Sequence, residues 1–477
     1  WKDVTPGKEC NGMQPSEEEE ERDSRGRKNA FGRDWTEGNV FRNLVALSWP
    51  IVVSNSLNLL GPVIDMIWVG KLGVAAIAGV GVSSMAVMVI NSARMGLTQG
   101  TRALVSRFIG SGDTEGANHV SQQAFVVSAG YVVVMASIGI FLAEPVMNLF
   151  GLEADVVKEG AVYMRVMFVG SIAMSFRMMA QSIMQASGDT VTPMRITVFF
   201  RIFHAALSPL LIFGLWIFPR MGVSGAAATN VISQGIGGTI GLWVLFSGRS
   251  RLRLSLRNFR LDPGVIWRIL KIGIPASIMG MERSLGNIVL MLFVTPFGTL
   301  AVAGHALMQR IEGVLRMPTN GLGVGAGVLA GQNLGAGQPD RAEKSGWMAV
   351  GIGEVFGLIA AIGVFVWAEQ VIRVFNTNPG MVEVSSSFLR IAAAGYLSIG
   401  IYFVLQQCIS GTGDTMPPML IAMLNFWLVQ ISLAYLLPKY TDLGVLGVRW
   451  AIVAGMFAGV IAYAIYFRLG RWKSKRL

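Results

Sequence analysis

The sequence predicts an all-α membrane protein: twelve transmembrane helices in two six-helix bundles related by a parallel pseudo-twofold repeat. Composition is the first reason. Hydrophobic residues make up 53% of the chain and charged residues 14%, whereas soluble domains average about 25% charged. Segment length is the second, because twelve apolar stretches each supply the ~20 residues a helix needs to cross hydrocarbon. Self-similarity is the third. Gly188-Asp189-Thr190 recurs as Gly413-Asp414-Thr415, and the same constant offset pairs Pro50 with Pro275, Gly96-Leu97 with Gly321-Leu322, Gly110 with Gly335 and Gly222-Val223 with Gly447-Val448. A duplicated unit in a membrane chain points to a transporter with its site between the halves.

Taken in order, residues 1–40 form a polar tail with an acidic run, Glu17–Glu21, followed by Arg22, Arg25, Arg27 and Lys28. It has no apolar stretch of the signal-peptide kind and is expected to be disordered and cytoplasmic. The first bundle is placed at 41–246, with spans near 44–69, 74–96, 119–143, 161–186, 191–217 and 223–246. A basic cytoplasmic linker, 247–265, carries Arg249, Arg251, Arg253, Arg257 and Arg260. The second bundle is placed at 266–470, with spans near 266–294, 301–329, 346–368, 388–411, 416–437 and 447–469, and 471–477 is a basic cytoplasmic tail. Helices are required because backbone groups in lipid must bond within their own segment. Spacings such as Gly321/Gly325 and Gly353/Gly357 allow close helix contact.

The loops set the orientation. Arg102, Arg107, Arg195, the linker arginines, Arg341 and Lys344 fall on one side, while the third-to-fourth connection is acidic, with Glu144, Glu153, Asp155 and Glu159. Positive-inside bias then puts both termini in the cytoplasm and the chain in the plasma (inner) membrane. Six spans per repeat is even, so the halves enter from the same side and are parallel. The net charge of +11 follows from this loop bias and needs no nucleic-acid partner. Cys10 and Cys408 cannot form a disulfide framework or a metal site. One chain holds both halves, so a monomer suffices.

The run from Pro50 to Gly73, with Asp65, Trp68-Val69-Gly70 and Leu72-Gly73, followed by Ala75-Ala76-Ile77-Ala78-Gly79, resembles the first-helix signature of the multidrug and toxic compound extrusion (MATE) family. Phe297-Gly298-Thr299, Ala303-Gly304-His305 and Gly331-Gln332-Asn333-Leu334-Gly335-Ala336-Gly337 resemble its second-half signature, and the paired Gly-Asp-Thr-x-x-Pro turns strengthen the match. The resemblance spans about residues 40–470. It implies two bundles forming a V around a central cavity, and export of organic compounds in exchange for H+ or Na+ without a cofactor.

Ionisable groups inside spans are costly and are functional candidates by default. Asp65 leads, because desolvation raises a carboxylate's proton affinity and a nearby cation lowers it again. Its repeat mate is Leu290, which suits a single coupling site; a carboxylate that caps a helix or pairs with an arginine is the alternative. Sodium at Asp65 would need further oxygens, and Ser54, Asn55 and Asn58 are near in sequence. On the fifth span the family often has an Asn four residues before Asp-Pro. Here those positions hold His204 and Ser208-Pro209, so His204 is either a titrating partner or a buried neutral histidine. Glu282 falls near the acidic position that sodium-coupled family members use, making it a third ion-coupling candidate. Glu312 has Arg316 at i+4, the spacing of a structural ion pair, and Glu354 is a weaker candidate.

Cavity or substrate candidates are Asn58, Gln181, Gln309, Glu312 and Gln406. Arg165/Arg390 and Gln181/Gln406 are repeat mates, which favours a symmetric role, whereas Arg94, Arg177 and Arg201 have uncharged mates. These three either counter the buried acids or snorkel to an interface. Lipophilic cations are the substrates the resemblance implies; Met and Phe, numbering 26 and 25, would suit them but are also ordinary core and lipid-facing residues. A flippase for a lipid-linked precursor is the alternative within the superfamily. A membrane-embedded lipid-modifying enzyme is remote, since His119, His204 and His305 are the only histidines and no nucleophile–base set accompanies them.

Overall fold

A computed structural model describes residues 34–148, 151, 153–257 and 259–475. Most of the polar tail, the acidic run included, lies outside the described residues. The end of that tail is held in place: Trp35 is buried, and the Asn43 side-chain amide donates to the backbone oxygens of Trp35 and Glu37 at 3.3 and 2.7 Å.

The described residues are helical, with no strand. The first half contains α1 (Val40–Val69), α2 (Val74–Gly110), α3 (Thr114–Asn148), α4 (Ala154–Val169), α5 (Ser171–Ala186), α6 (Val191–Phe213) and α7 (Gly222–Phe246). The second half contains α8 (Pro263–Val294), α9 (Thr299–Gly335), α10 (Pro339–Val366), a short α11 (Ala368–Arg373), α12 (Pro379–Tyr396), α13 (Ile399–Gly411), α14 (Met416–Leu424), α15 (Ile431–Tyr440) and α16 (Val445–Leu469). Seven spans are long and apolar enough to cross a bilayer among the described residues, and two bent pairs, α4/α5 at 45° and α12/α13 at 56°, each make one more. The remaining three long helices, α2, α7 and α9, are richer in glycine and polar residues but reach 37, 25 and 37 residues, enough at 1.5 Å per residue to span. Together these are twelve helical spans in two bundles.

Two spans differ from the straight segments that apolarity predicts. The break between α4 and α5 falls at Gly170, and the break between α12 and α13 follows its repeat mate Gly395. A Cβ at Gly170 would collide with Val231, so the glycine lets α7 pack directly against the break. The eleventh span is also interrupted: a π-helical turn, Asn425–Gln430, joins α14 to α15.

The seam between the bundles is built from repeat mates. A Cβ on Gly96 would come within 3.0 Å of Gly273 and Ser277, and one on Gly321 would do so against Val52; Val52 and Ser277 are themselves repeat mates. Gly100 against Ile269, Gly325 against Ser48, Gly110 against Gln332 and Gly335 against Arg107 complete the set. These contacts bring α2 onto α8, α1 onto α9 and the ends of α2 and α9 onto each other, backbone to backbone, as small residues permit in lipid.

The apolar cores are exchanged across this seam. Val40, Leu44 and Leu47 of α1 are buried in a cluster with Val328, Leu405 and Phe467 of the second half. Their mates Val265, Ile269 and Ile272 of α8 are buried with Leu104, Met184 and Phe200 of the first half. These contacts lie in the half of the molecule whose end carries the start of α1, the end of α16 and the basic linker. The chain after α16 also crosses there: Arg107 donates to the Lys475 backbone oxygen at 2.8 Å, while Lys475 Nζ is 3.2 Å from Asp414. Exposed Phe141, Val133, Ile202, Ile359 and Leu428 supply the apolar outer surface that a bilayer requires.

Candidate functional site

Each lobe encloses a polar cluster. In the first, Asn58 and Asp65 lie two turns apart on α1, and Arg201, His204 and Ser208 share one face of α6. The helices come together because position 61 is glycine; a Cβ there would overlap the Arg201 guanidinium. Pro62 lacks the N–H that would bond the carbonyl of Asn58, and Arg201 Nη2 approaches that freed oxygen at 3.4 Å and the Asn58 Oδ1 at 3.3 Å.

Asp65 Oδ1 stands 3.1 Å from His204 Nε2, with both side chains almost wholly buried, at 4% and 0% exposure. Ser208 Oγ lies 3.5 Å from the same oxygen, and neither ring nitrogen of His204 is in a hydrogen bond. The buried Tyr163 of α4 is within electrostatic reach of Asp65. The structure thus brings together the two residues that sequence reasoning paired through the fifth span. Deeper in the lobe, Arg177 donates to Gln181 at 2.9 Å and to Gln234, and Arg177 and Arg201 both lie on the Phe200 ring, at 4.7 and 5.0 Å. Arg94 is held by Asn91 and the Met174 sulfur. All three arginines belong to the first lobe, where Asp65 is the acid in reach of Arg201, so they do not counter Glu282 or Glu312.

The second lobe encloses a cavity of about 130 Å³ lined by Glu282, Arg283, Gln309, Glu312, Arg316 and Gln406, with His305 and Arg449 at its wall. His305, Gln309, Glu312 and Arg316 form one face of α9. Glu312 makes its ion pair with Arg449 of α16, and Arg449 Nη1 also lies 3.4 Å from His305 Nδ1. Arg316, the i+4 partner that spacing predicts, instead donates to the Glu312 backbone oxygen at 3.2 Å. Both candidates are arginines, so the choice is set by position: α16 places the Arg449 Nη2 on Glu312 Oε1, while Arg316 is turned to its own helix. Arg283 donates to Gln406 at 3.1 Å, and Gln406 passes on to Tyr463 at 2.9 Å.

Glu354 has a local task. It accepts from the Ile401 backbone N–H at 2.7 Å, satisfying an unpaired amide in the first turn of α13. The predicted residues therefore divide: Asp65, His204, Asn58 and Gln181 lie in the first lobe, and Glu282, Gln309, Glu312 and Gln406 in the second. Arg449 was missed by sequence reasoning. It was legible as a charge inside the last span whose repeat mate, Ser224, is neutral.

The MatE family profile matches residues 50–210 and 275–436, two stretches that begin at the repeated prolines. The chain belongs to the MatE family. MatE relatives along nearly the whole length include a probable multidrug resistance protein, YpnP, of Bacillus subtilis, 28% identical over 93% of this chain and 98% of its own. A probable multidrug resistance protein, NorM, of Thermotoga maritima is 26% identical over 91% of this chain and 94% of its own, and an FAD transporter of Shewanella oneidensis is 25% identical over 90% and 95%. The fold matches a MOP superfamily transporter from Pyrococcus furiosus with a TM-score of 0.85 at 24% identity, covering 93% of this chain and 98% of that one. A Vibrio cholerae MATE transporter matches with a TM-score of 0.84 at 21% identity, covering 91% and 99%. This MatE protein is accordingly a multi-pass membrane transporter, not an enzyme.

Proposed function

We propose that this protein is an exporter of small organic compounds that works as a proton antiporter by alternating access, with Asp65 and His204 as the coupling site. The contact between these two buried groups, 3.1 Å across α1 and α6, carries the reading. A carboxylate and an imidazole this close and shielded from water change their mutual attraction when either one gains or loses a proton, and with it the attraction between the helices that bear them. Loading would loosen or tighten α1 against α6. Because α1 also inserts its base into the other lobe, that change reaches the seam. Asp65 has the His204 imidazole at 3.1 Å and the Ser208 hydroxyl at 3.5 Å, with the Arg201 guanidinium and the Tyr163 phenol within electrostatic reach, a set that favours a proton over sodium, which wants several oxygen ligands.

The seam is closed at the end bearing the basic linker and both termini. With positive-inside bias that end is cytoplasmic, and the protein is outward-facing in the plasma membrane, working as a monomer. The relatives' names, multidrug resistance proteins and an FAD transporter, support small organic cargo without fixing its charge. A lipid-linked precursor flippase is a second reading, favoured by the arginines inside both lobes.

Efflux from proteoliposomes under separately imposed proton and sodium gradients tests the proposal. Efflux that follows the proton gradient and is lost in Asp65→Asn is the expected result. Sodium-driven efflux would overturn the coupling ion. Lipid translocation without efflux of soluble cargo would replace the exporter with the flippase.

A further inference from the structure

The second-lobe cavity is chemically unlike a receptor for cations. Its two acids are Glu282 and Glu312, and Glu312 is already neutralised by Arg449. Arg283 and Arg316 line the same space, and among the described residues neither is in an ion pair. Arg283 bonds a neutral amide and Arg316 a backbone carbonyl of its own helix. The two guanidinium groups lie on one aromatic ring, 5.6 and 5.8 Å from the centre of Phe403, and are within electrostatic reach of each other. Arg283 is exposed and Arg316 half-buried. Two like charges gathered on one ring with their donors only partly used cost electrostatic energy, and that cost is relieved when an anion enters.

The charge count gives the sign. With Glu282 ionised, the two arginines leave the cavity one charge positive; with Glu282 protonated, two. The apolar part of the wall, Leu290, Ile399, Phe426 and Ile452, suits a hydrophobic body attached to that charge. We infer that the second-lobe cavity binds the anionic head, a carboxylate, sulfonate or phosphate, of an amphiphilic organic molecule, with Arg283 and Arg316 as its ligands. Bidentate donation to oxyanions is what a guanidinium does best. This rests on the transporter reading and names its cargo as an anion, in place of the lipophilic cation that the family resemblance implies.

The test is equilibrium binding to the full chain in neutral phosphatidylcholine nanodiscs, with no gradient, using two probes of one skeleton: 2-naphthylacetate and 2-naphthylmethyl-trimethylammonium. The anion is expected to bind at least about tenfold more tightly than the cation. Arg283→Gln and Arg316→Gln should each weaken the anion about tenfold, Arg316→Lys should keep the preference at reduced affinity, and Arg283→Glu should turn the preference toward the cation. Each variant is first checked for a monodisperse peak on gel filtration. Competition by added phosphatidylglycerol would identify the headgroup of a lipid as the natural source of the anion, and absence of competition a soluble one. Equal or tighter binding of the cation, or undiminished anion binding in both Gln variants, would overturn the inference while leaving gradient-driven efflux untouched. Anion binding without any gradient-driven flux would instead sink the exporter reading alone.

Discussion

The two lobes meet through matched residues and differ inside. At the seam, Gly96 does against α8 what Gly321 does against α1, and Leu44 fills the second lobe's core as Ile269 fills the first's. In the interiors, Asp65 stands where the other lobe has Leu290, His204 where it has Val429, and Arg201 where it has Phe426; Glu312 and Arg449 correspond to Val87 and Ser224. Packing between lobes must work from both sides of a pseudo-twofold axis, so its residues are kept in both copies. A charge in hydrocarbon costs energy wherever it sits, so each is placed once, where it has a use.

The sharpest way to break this contrast is to move the acid. Asp65→Asn is expected to abolish proton-driven efflux while the protein stays folded, and adding Leu290→Asp should not restore it, because His204 has no counterpart there. Proteoliposome efflux reads both. Restoration by Leu290→Asp would mean that either lobe can couple. Glu282→Gln should weaken transport less than Asp65→Asn does; a larger loss would move the coupling site to the second lobe.

The seam predicts the opposite pattern, equality. Gly96→Leu and Gly321→Leu each place a side chain where even a Cβ would be within 3.0 Å of the facing helix. Each should slow efflux by about tenfold or more through loss of closure at this end, as insertion into a packed contact costs about 1–3 kcal/mol. Rates that differ strongly between the two would show that the seam is less symmetric in motion than at rest.

Within the second lobe, Glu312→Gln removes the counter-charge of Arg449, whose side chain is only 2% exposed. Breaking a buried pair from one side costs about 3–5 kcal/mol, read as a fall in thermal unfolding temperature in detergent. Glu312→Gln with Arg449→Gln should recover most of it, since the first lobe packs the same two positions with Val87 and Ser224.

Much of this contrast was legible in the sequence. A constant repeat offset and twelve apolar stretches specify two parallel helical units, because hydrophobic length and repetition are local properties. The pairing of Asp65 with His204 was legible too, through the resemblance on the fifth span. Arg449 was legible only as a charge inside the last span, and the preference of Glu312 for it over Arg316 was not, because that choice depends on where α16 packs, and i+4 spacing speaks only within one helix. The bends at Gly170 and beyond Gly395 were hidden for a related reason. A glycine in an apolar run reads as a packing residue until the neighbour it admits is known.

The smallest expected effect tests symmetry where it is cheapest to measure. Glu144 pairs with Arg165 at 2.8 Å, and their mates Glu369 and Arg390 pair at 3.1 Å, all four side chains close to half exposed. Exposed pairs contribute about 0–1 kcal/mol and weaken with salt, so a double-mutant cycle on each should return a coupling energy below about 1 kcal/mol that shrinks further at high salt. The two values should agree within about 0.5 kcal/mol, the usual scatter of such cycles. A pair that is strong in one lobe and absent in the other would show that the outer ends of the lobes have diverged as their interiors have. Agreement would confine the asymmetry of this protein to the charges it buries.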